Sequence, residues 1–122
     1  MRFHNRRFIR SLGCALNGLR QAVRYEANMR IHLVCAGLAV GAGWILQILP
    51  YEWLMLSLTI TLVLLAELLN TALEANVDLV TKQKKPEART AKDVAAGAVL
   101  ITSLNAVIIG LVIFAPKIFP EV

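Results

Sequence analysis

From about residue 4 to residue 27, apolar and basic positions recur with the period of a helix. Phe8, Leu12, Ala15, Leu19 and Val23 follow one another at steps of four, three, four and four, which places them on one face. Arg6, Arg7, Arg10, Asn17, Arg20 and Arg24 occupy the remainder. The pattern predicts a basic amphipathic helix lying among lipid headgroups, apolar side down. A solvated helix packed on the protein's own loops would show the same pattern. After Arg30 the periodicity is lost. Residues 31–49 are apolar on every face over about 28 Å of helix, which nearly matches a bilayer core of about 30 Å. A second such run begins at Trp53 and continues to about residue 80, and a third covers about 93–115. The expected fold is an all-α membrane protein: one surface helix and three transmembrane helices in a single domain, residues 1–122.

The second run closes on a different pattern. Glu67, Asn70, Glu74 and Asp78 fall within a helical sector of about 80°, forming a stripe of three carboxylates and an amide. By helix rise, Glu67 lies about 21 Å from Trp53 and Glu74 about 31 Å. The stripe therefore starts inside the hydrocarbon and ends in water. A carboxylate at that depth costs several kcal/mol and marks a functional site by default. A structural ion pair or hydrogen bonds between helices is the competing reading.

Composition agrees with membrane residence. Of the 122 residues, 57% are hydrophobic, and the mean hydropathy is +0.63, above what a soluble domain carries. The formal charge of +5 raises the question of nucleic acid. The placement of the charges excludes it. Apart from Lys117, the basic residues lie either within the first thirty positions or at Lys82, Lys84, Lys85, Arg89 and Lys92. Clusters separated by apolar runs are the mark of cytoplasmic segments. A multi-pass protein of the cell membrane follows, its N-terminus inside and its C-terminus outside. No signal peptide is apparent. Cys14 and Cys35 have no metal-ligand neighbours and are read as free thiols. Gly13 and Gly18 have P-loop spacing, but Leu19-Arg20 stands where Lys-Ser/Thr is required. The small residues Gly37, Gly41 and Gly43 favour close helix packing. Asn105, deep in the third run, reads as a hydrogen-bonding residue between helices.

Glu26, Glu74, Asp78, Lys92 and Asp93 gather at one rim, with Glu67 slightly deeper. Carboxylates there can hold Mg²⁺ while leaving places for phosphate oxygens and water, and the cations can neutralise phosphate. A carboxylate beside lipid can accept a proton from a lipid hydroxyl. These are the requirements of phosphoryl transfer. Asp93 also reads as the cap of the third span, whose N-terminus would favour an anion.

Glu67-Leu-Leu-Asn70-Thr-Ala-Leu-Glu74-x-x-x-Asp78, followed by Ala91-Lys92-Asp93-x-Ala95-Ala96-Gly97-Ala98, closely resembles the prokaryotic diacylglycerol kinase family, and within it the undecaprenol kinases of Gram-positive bacteria. Gly18-Leu-Arg20 and Glu26-Ala-Asn-x-Arg30 match in order and spacing. The resemblance implies a homotrimer with active sites at subunit contacts. It also implies a kinase that moves the γ-phosphate of ATP, with Mg²⁺, to a lipid alcohol. It makes Glu67 the general base, Glu26 and Glu74 the metal ligands, Asn70 and Asp78 supporting polar residues, and Arg7, Glu26, Glu74, Lys92 and Asp93 the nucleotide contacts. His32 replaces a glutamate of the proteobacterial branch, and Cys14 replaces a tyrosine that meets the nucleotide there. The first departure favours undecaprenol over diacylglycerol as acceptor. A small proton-coupled transporter and a non-catalytic scaffold are the other readings. The transporter would not need Lys92-Asp93 at a helix start or a metal pair at one rim, and the scaffold would tolerate Glu67→Leu.

Overall fold

The structure is a computed structural model that describes residues 2–121. Met1 and Val122, the limits of the expected domain, lie outside the described residues. The described chain is helical and folds as α1 (Arg2–Tyr25), α2 (Ala27–Leu46), α3 (Pro50–Val80) and α4 (Pro86–Ile118). The last three are long and apolar enough to cross a membrane. In lipid this architecture is forced, because a helix satisfies its own backbone polar groups where no water can.

Each boundary has a local cause. Between α1 and α2 the chain breaks at Glu26, which is extended at φ −107° and ψ 109°. Arg30 stabilises the break by donating from Nη1 to the free carbonyls of Val23, at 3.0 Å, and Arg24, at 2.7 Å. Helix α2 stops earlier than its apolar run, at Gln47, which takes the left-handed conformation with φ 53°. Helix α3 starts earlier than expected. Pro50 fits the first helical position, where no N–H is needed, and the Leu49 N–H is held by Glu52 Oε1 at 3.1 Å.

The largest difference is at α4. The gap expected between about residues 80 and 93 is confined to residues 81–85, and α4 begins at Pro86. Proline again occupies the first turn, with Glu87 beside the unpaired N–H groups. Asp93 therefore lies about two turns inside α4. It is neither a cap nor at a helix N-terminus, and the expected anion site there is withdrawn.

Helices α3 and α4 form the main hairpin, with α2 packed chiefly on α3. At 1.5 Å per residue they run about 46 and 50 Å, well beyond a core of about 30 Å. Helix α3 buries one continuous stripe: Glu52, Leu56, Thr59, Val63, Glu67 and Asn70. Four of these six are polar, while Leu54, Leu58, Leu62, Leu65 and Leu69 remain exposed. Polar residues inside and leucines outside is the arrangement expected when the surroundings are lipid.

An ion pair joins each end of the hairpin. Near the loop, Lys92 Nζ donates to Asp78 Oδ1 at 2.7 Å. At the far end, Lys117 Nζ donates to both carboxylate oxygens of Glu52, at 2.9 and 2.7 Å, and to the Ile113 carbonyl. The apolar core lies beside this second pair, formed by Ile48, Leu56 and Ile113 with Trp53 and Phe114 against them. Gly43 makes the packing possible. A Cβ there would stand 3.0 Å from both Ile48 Cδ1 and Trp53 Cη2. Gly37 and Gly41 meet nothing within the chain, so the close approach falls to Gly43.

Breaking the Glu52–Lys117 pair leaves a poorly solvated charge, whereas removing both partners does not. Lys117→Met is expected to lower the thermal unfolding midpoint. The double variant Lys117→Met/Glu52→Gln should recover part of that loss, which a double-mutant cycle in detergent or bilayers measures.

Candidate active site

The stripe expected on α3 is present, and its depth is graded. Glu67 is 1% exposed and Asn70 8%. Glu74 is half-buried and Asp78 exposed. The Asn70 amide reaches Glu74 Oε1 at 3.5 Å, the limit of a hydrogen bond. Glu67 Oε2, Asn70 Oδ1 and Thr71 Oγ1 are buried without a hydrogen-bond partner. Buried polar atoms are nearly always paired in finished structures. Three such atoms fall within five residues of α3.

Glu26 is half-buried at the α1–α2 break, and Glu74 lies on the same face of α3 as Glu67, about two helical turns on. Among the described residues no group of three or more His, Cys, Asp or Glu is drawn in tightly enough to enclose a metal. A pair of carboxylates suffices for Mg²⁺, which keeps most of its sphere for phosphate and water. The oxygen donors of Glu26 and Glu74 fit that ion in kind.

Lys92 joins the end of the stripe through Asp78. Asp93 does not. It is exposed and pairs within its own helix with Arg89, Oδ2 to Nε at 3.8 Å. Arg7 is exposed and lies about 27 Å along α1 from Tyr25 by helix rise, with no ion pair among the described residues. A cavity of about 700 Å³ opens between the loop and α4, lined by Asp78, Lys82, Lys84, Lys85, Arg89 and Lys92 among others. Its cations stand beside the carboxylates.

On the membrane side an apolar groove of about 380 Å³ runs between α2, α3 and α4. Its walls include His32, Cys35, Ala36, Ala39, Val63, Leu64, Ser103 and Gly110. The groove depends on small side chains of α2, as the Ala- and Gly-rich sequence of 36–43 suggests. Another groove, between α3 and α4, is walled by Leu62, Leu69, Asn70, Ala95 and Ala98 among others.

Two contacts of residues named in the sequence were not foreseen there. His32, noted only as a departure from the proteobacterial branch, has its Nε2 3.6 Å from Glu67 Oε2. Arg30, noted only as part of a motif, shapes the turn that carries Glu26.

The sequence model of the family described as prokaryotic diacylglycerol kinase matches residues 13–114. The chain belongs to the prokaryotic diacylglycerol kinase family. It is 39% identical over 112 residues to the undecaprenol kinase of Bacillus subtilis, covering 92% of this chain and 91% of that one. It is 40% identical over 102 residues to a diacylglycerol kinase of Synechocystis, covering 83% of this chain and 58% of that protein. Against the diacylglycerol kinase of Escherichia coli it is 35% identical over 102 residues, 84% of each chain. The match spans the half-buried break at Glu26, the α3 stripe and Lys92, so this family member carries all of these residues within the shared segment.

Cys35 is exposed and lines the membrane groove, while Cys14 lies on exposed α1. A membrane-permeant maleimide is expected to label both, and a charged impermeant one Cys14 alone. Mass spectrometry of protein in sealed vesicles open to reagent on the loop side checks this. Equal labelling by the charged reagent would place the groove in water.

Proposed function

We propose that this chain is an ATP-dependent lipid kinase that phosphorylates the hydroxyl of a membrane lipid alcohol, with undecaprenol favoured and diacylglycerol used less well. The observation that carries the reading is the position of Glu67. It is a fully buried carboxylate with an unpartnered oxygen, next to a residue of an apolar groove on one side and to a rim of carboxylates and lysines on the other. That is where a lipid hydroxyl and a water-soluble phosphate donor can meet.

Glu67 acts as general base and takes the proton of the acceptor hydroxyl. The acceptor oxygen forms its bond to the γ-phosphorus, and the bond from that phosphorus to the bridging oxygen breaks with its electron pair leaving on ADP. Glu26 and Glu74 would hold Mg²⁺, which supplies charge neutralisation on the phosphates when bound. Asn70 orients Glu74. Lys92, fixed by Asp78, faces the phosphates, and the lysines of the 81–85 loop attract the polyphosphate. Arg7 and Asp93 reach the nucleotide in the assembly rather than in one chain.

The assembly is a homotrimer. Asn105 supports it, since an exposed amide within an apolar helix is costly against lipid and natural against another helix. The open glycines Gly37, Gly41, Gly97 and Gly110 offer surfaces for close approach, and the orphaned polar atoms around Glu67 require further partners. Helix α1 lies on the membrane surface, with Phe8, Leu12, Leu19 and Val23 exposed on its apolar face. The N-terminus and the 81–85 loop are cytoplasmic and the C-terminus is outside, because all basic residues but Lys117 then face inward. The transporter reading has less support, because transport leaves Lys92 and the rim pair unused.

Undecaprenol is favoured because the relative from Bacillus subtilis, matched over most of both chains, bears the name undecaprenol kinase. Both alcohols present a primary hydroxyl, so discrimination rests on contacts along the tail and yields a preference of roughly 10- to 200-fold at most per methylene-sized contact.

Glu67→Gln is expected to keep the fold and nucleotide affinity while losing about 10²- to 10⁴-fold in turnover. Glu74→Gln should instead raise the Mg²⁺ concentration needed for half-maximal rate. Phosphate transfer from labelled ATP in bilayers measures both, and normal turnover by Glu67→Gln would remove the base assignment. In a second experiment undecaprenol and diacylglycerol compete at equal surface fraction in one bilayer. Undecaprenol is expected to be phosphorylated faster, and the reverse order would overturn the acceptor preference alone.

A further inference from the structure

We propose that His32 is a positioning residue for the acceptor step, holding the Glu67 carboxylate toward an alcohol that arrives through the groove between α2, α3 and α4. The proposal rests on the lipid-kinase reading above.

Three independent observations converge on it. The first is the orphaned oxygen. Glu67 is 1% exposed, and its Oε2 has no hydrogen-bond partner. The second is the imidazole facing it. His32 Nε2 lies 3.6 Å from that oxygen, beyond a hydrogen bond by about half an ångström. A small rotation of the ring closes that gap. The third is the place of the ring in the groove. His32 forms part of the groove wall, one turn from Cys35 and Ala36, whereas Glu67 does not. A ligand in the groove therefore meets the imidazole before the carboxylate.

The chemistry follows from the donor inventory. A neutral imidazole offers one N–H donor, and an ionised carboxylate only accepts. Donation from Nε2 to Oε2 fixes the rotation of the Glu67 carboxylate and leaves Oε1 free for the hydroxyl proton. When transfer occurs, that proton moves from the acceptor oxygen to Glu67, the new O–P bond forms and ADP departs with the electrons of the broken bond. His32 keeps the same protons throughout. Its work is orientation, for which a misplacement near 1 Å costs as much as 10²-fold.

Two polar substitutions separate this role from a structural one. In His32→Gln the side-chain amide reaches about where Nε2 stands and donates. In His32→Asn the shorter side chain carries the same group but falls short. Protein in bilayers is assayed with undecaprenol varied at saturating MgATP, and with MgATP varied at saturating undecaprenol. His32→Gln is expected to stay within about threefold of wild type in kcat/KM for the alcohol. His32→Asn should lose about 10- to 100-fold, the value of one hydrogen bond to a charged group, with the KM for ATP unchanged in both. A wild-type rate in His32→Asn overturns the proposal. So does an equal loss in the two variants, which would mean that titration or bulk matters rather than reach. A wild-type protein that phosphorylates no lipid alcohol removes the kinase reading and this assignment together, whereas an active wild type with an indifferent position 32 removes the assignment alone.

Discussion

The register of α3 against α4 is the constraint on which the site depends. Both helices are longer than a bilayer is thick, so a slide of one turn would leave each still spanning. What fixes the register is an ion pair at each end, Glu52 with Lys117 and Asp78 with Lys92. Between these two points α3 presents one buried stripe, and Glu67 stands about 22 Å along it from Glu52 by helix rise. A shift of one turn, about 5.4 Å, would carry Glu67 away from the inner end of the groove. The two pairs differ in environment. Glu52 is buried beside the apolar core, and Asp78 is largely exposed, so the first holds more firmly and the second is freer to exchange partners.

The polar interior of α3 follows from the solvent. In water, burying Glu52, Thr59, Glu67 and Asn70 while exposing five leucines would reverse the hydrophobic driving force. In lipid the leucines lose nothing by facing outward, and the polar groups gain by facing partners. The small buried core near Ile113 is consistent with this, because association in lipid relies on packing and hydrogen bonds rather than on removal of apolar surface from water.

The unsatisfied atoms around Glu67 carry functional meaning for the same reason. In hydrocarbon an unpaired carboxylate oxygen has no water to fall back on. Glu67 Oε2, Asn70 Oδ1 and Thr71 Oγ1 are therefore the atoms around which the proposed function is built.

Much of this was legible in the sequence, because the bilayer converts composition into geometry. Apolar runs of sufficient length must be helices, their order gives the element order, and the 100° step places Glu67, Asn70, Glu74 and Asp78 on one face whatever the partners. The basic clusters and the motif around Glu67 identify the family. Boundaries were less legible. Pro50 and Pro86 lie before the expected starts of the second and third spans, yet each begins a helix, because the first helical position needs no N–H; that is why Asp93 moved from a helix end to a helix interior. Pairings between distant residues were not legible at all. Lys117 with Glu52, and His32 with Glu67, join positions whose separation in sequence carries no period. Such contacts exist only once the crossing of α2 on α3 and the register of α3 on α4 are set, the first by how Gly43, Trp53 and Ile48 fit together in three dimensions and the second by the ion pairs at the two ends of the hairpin.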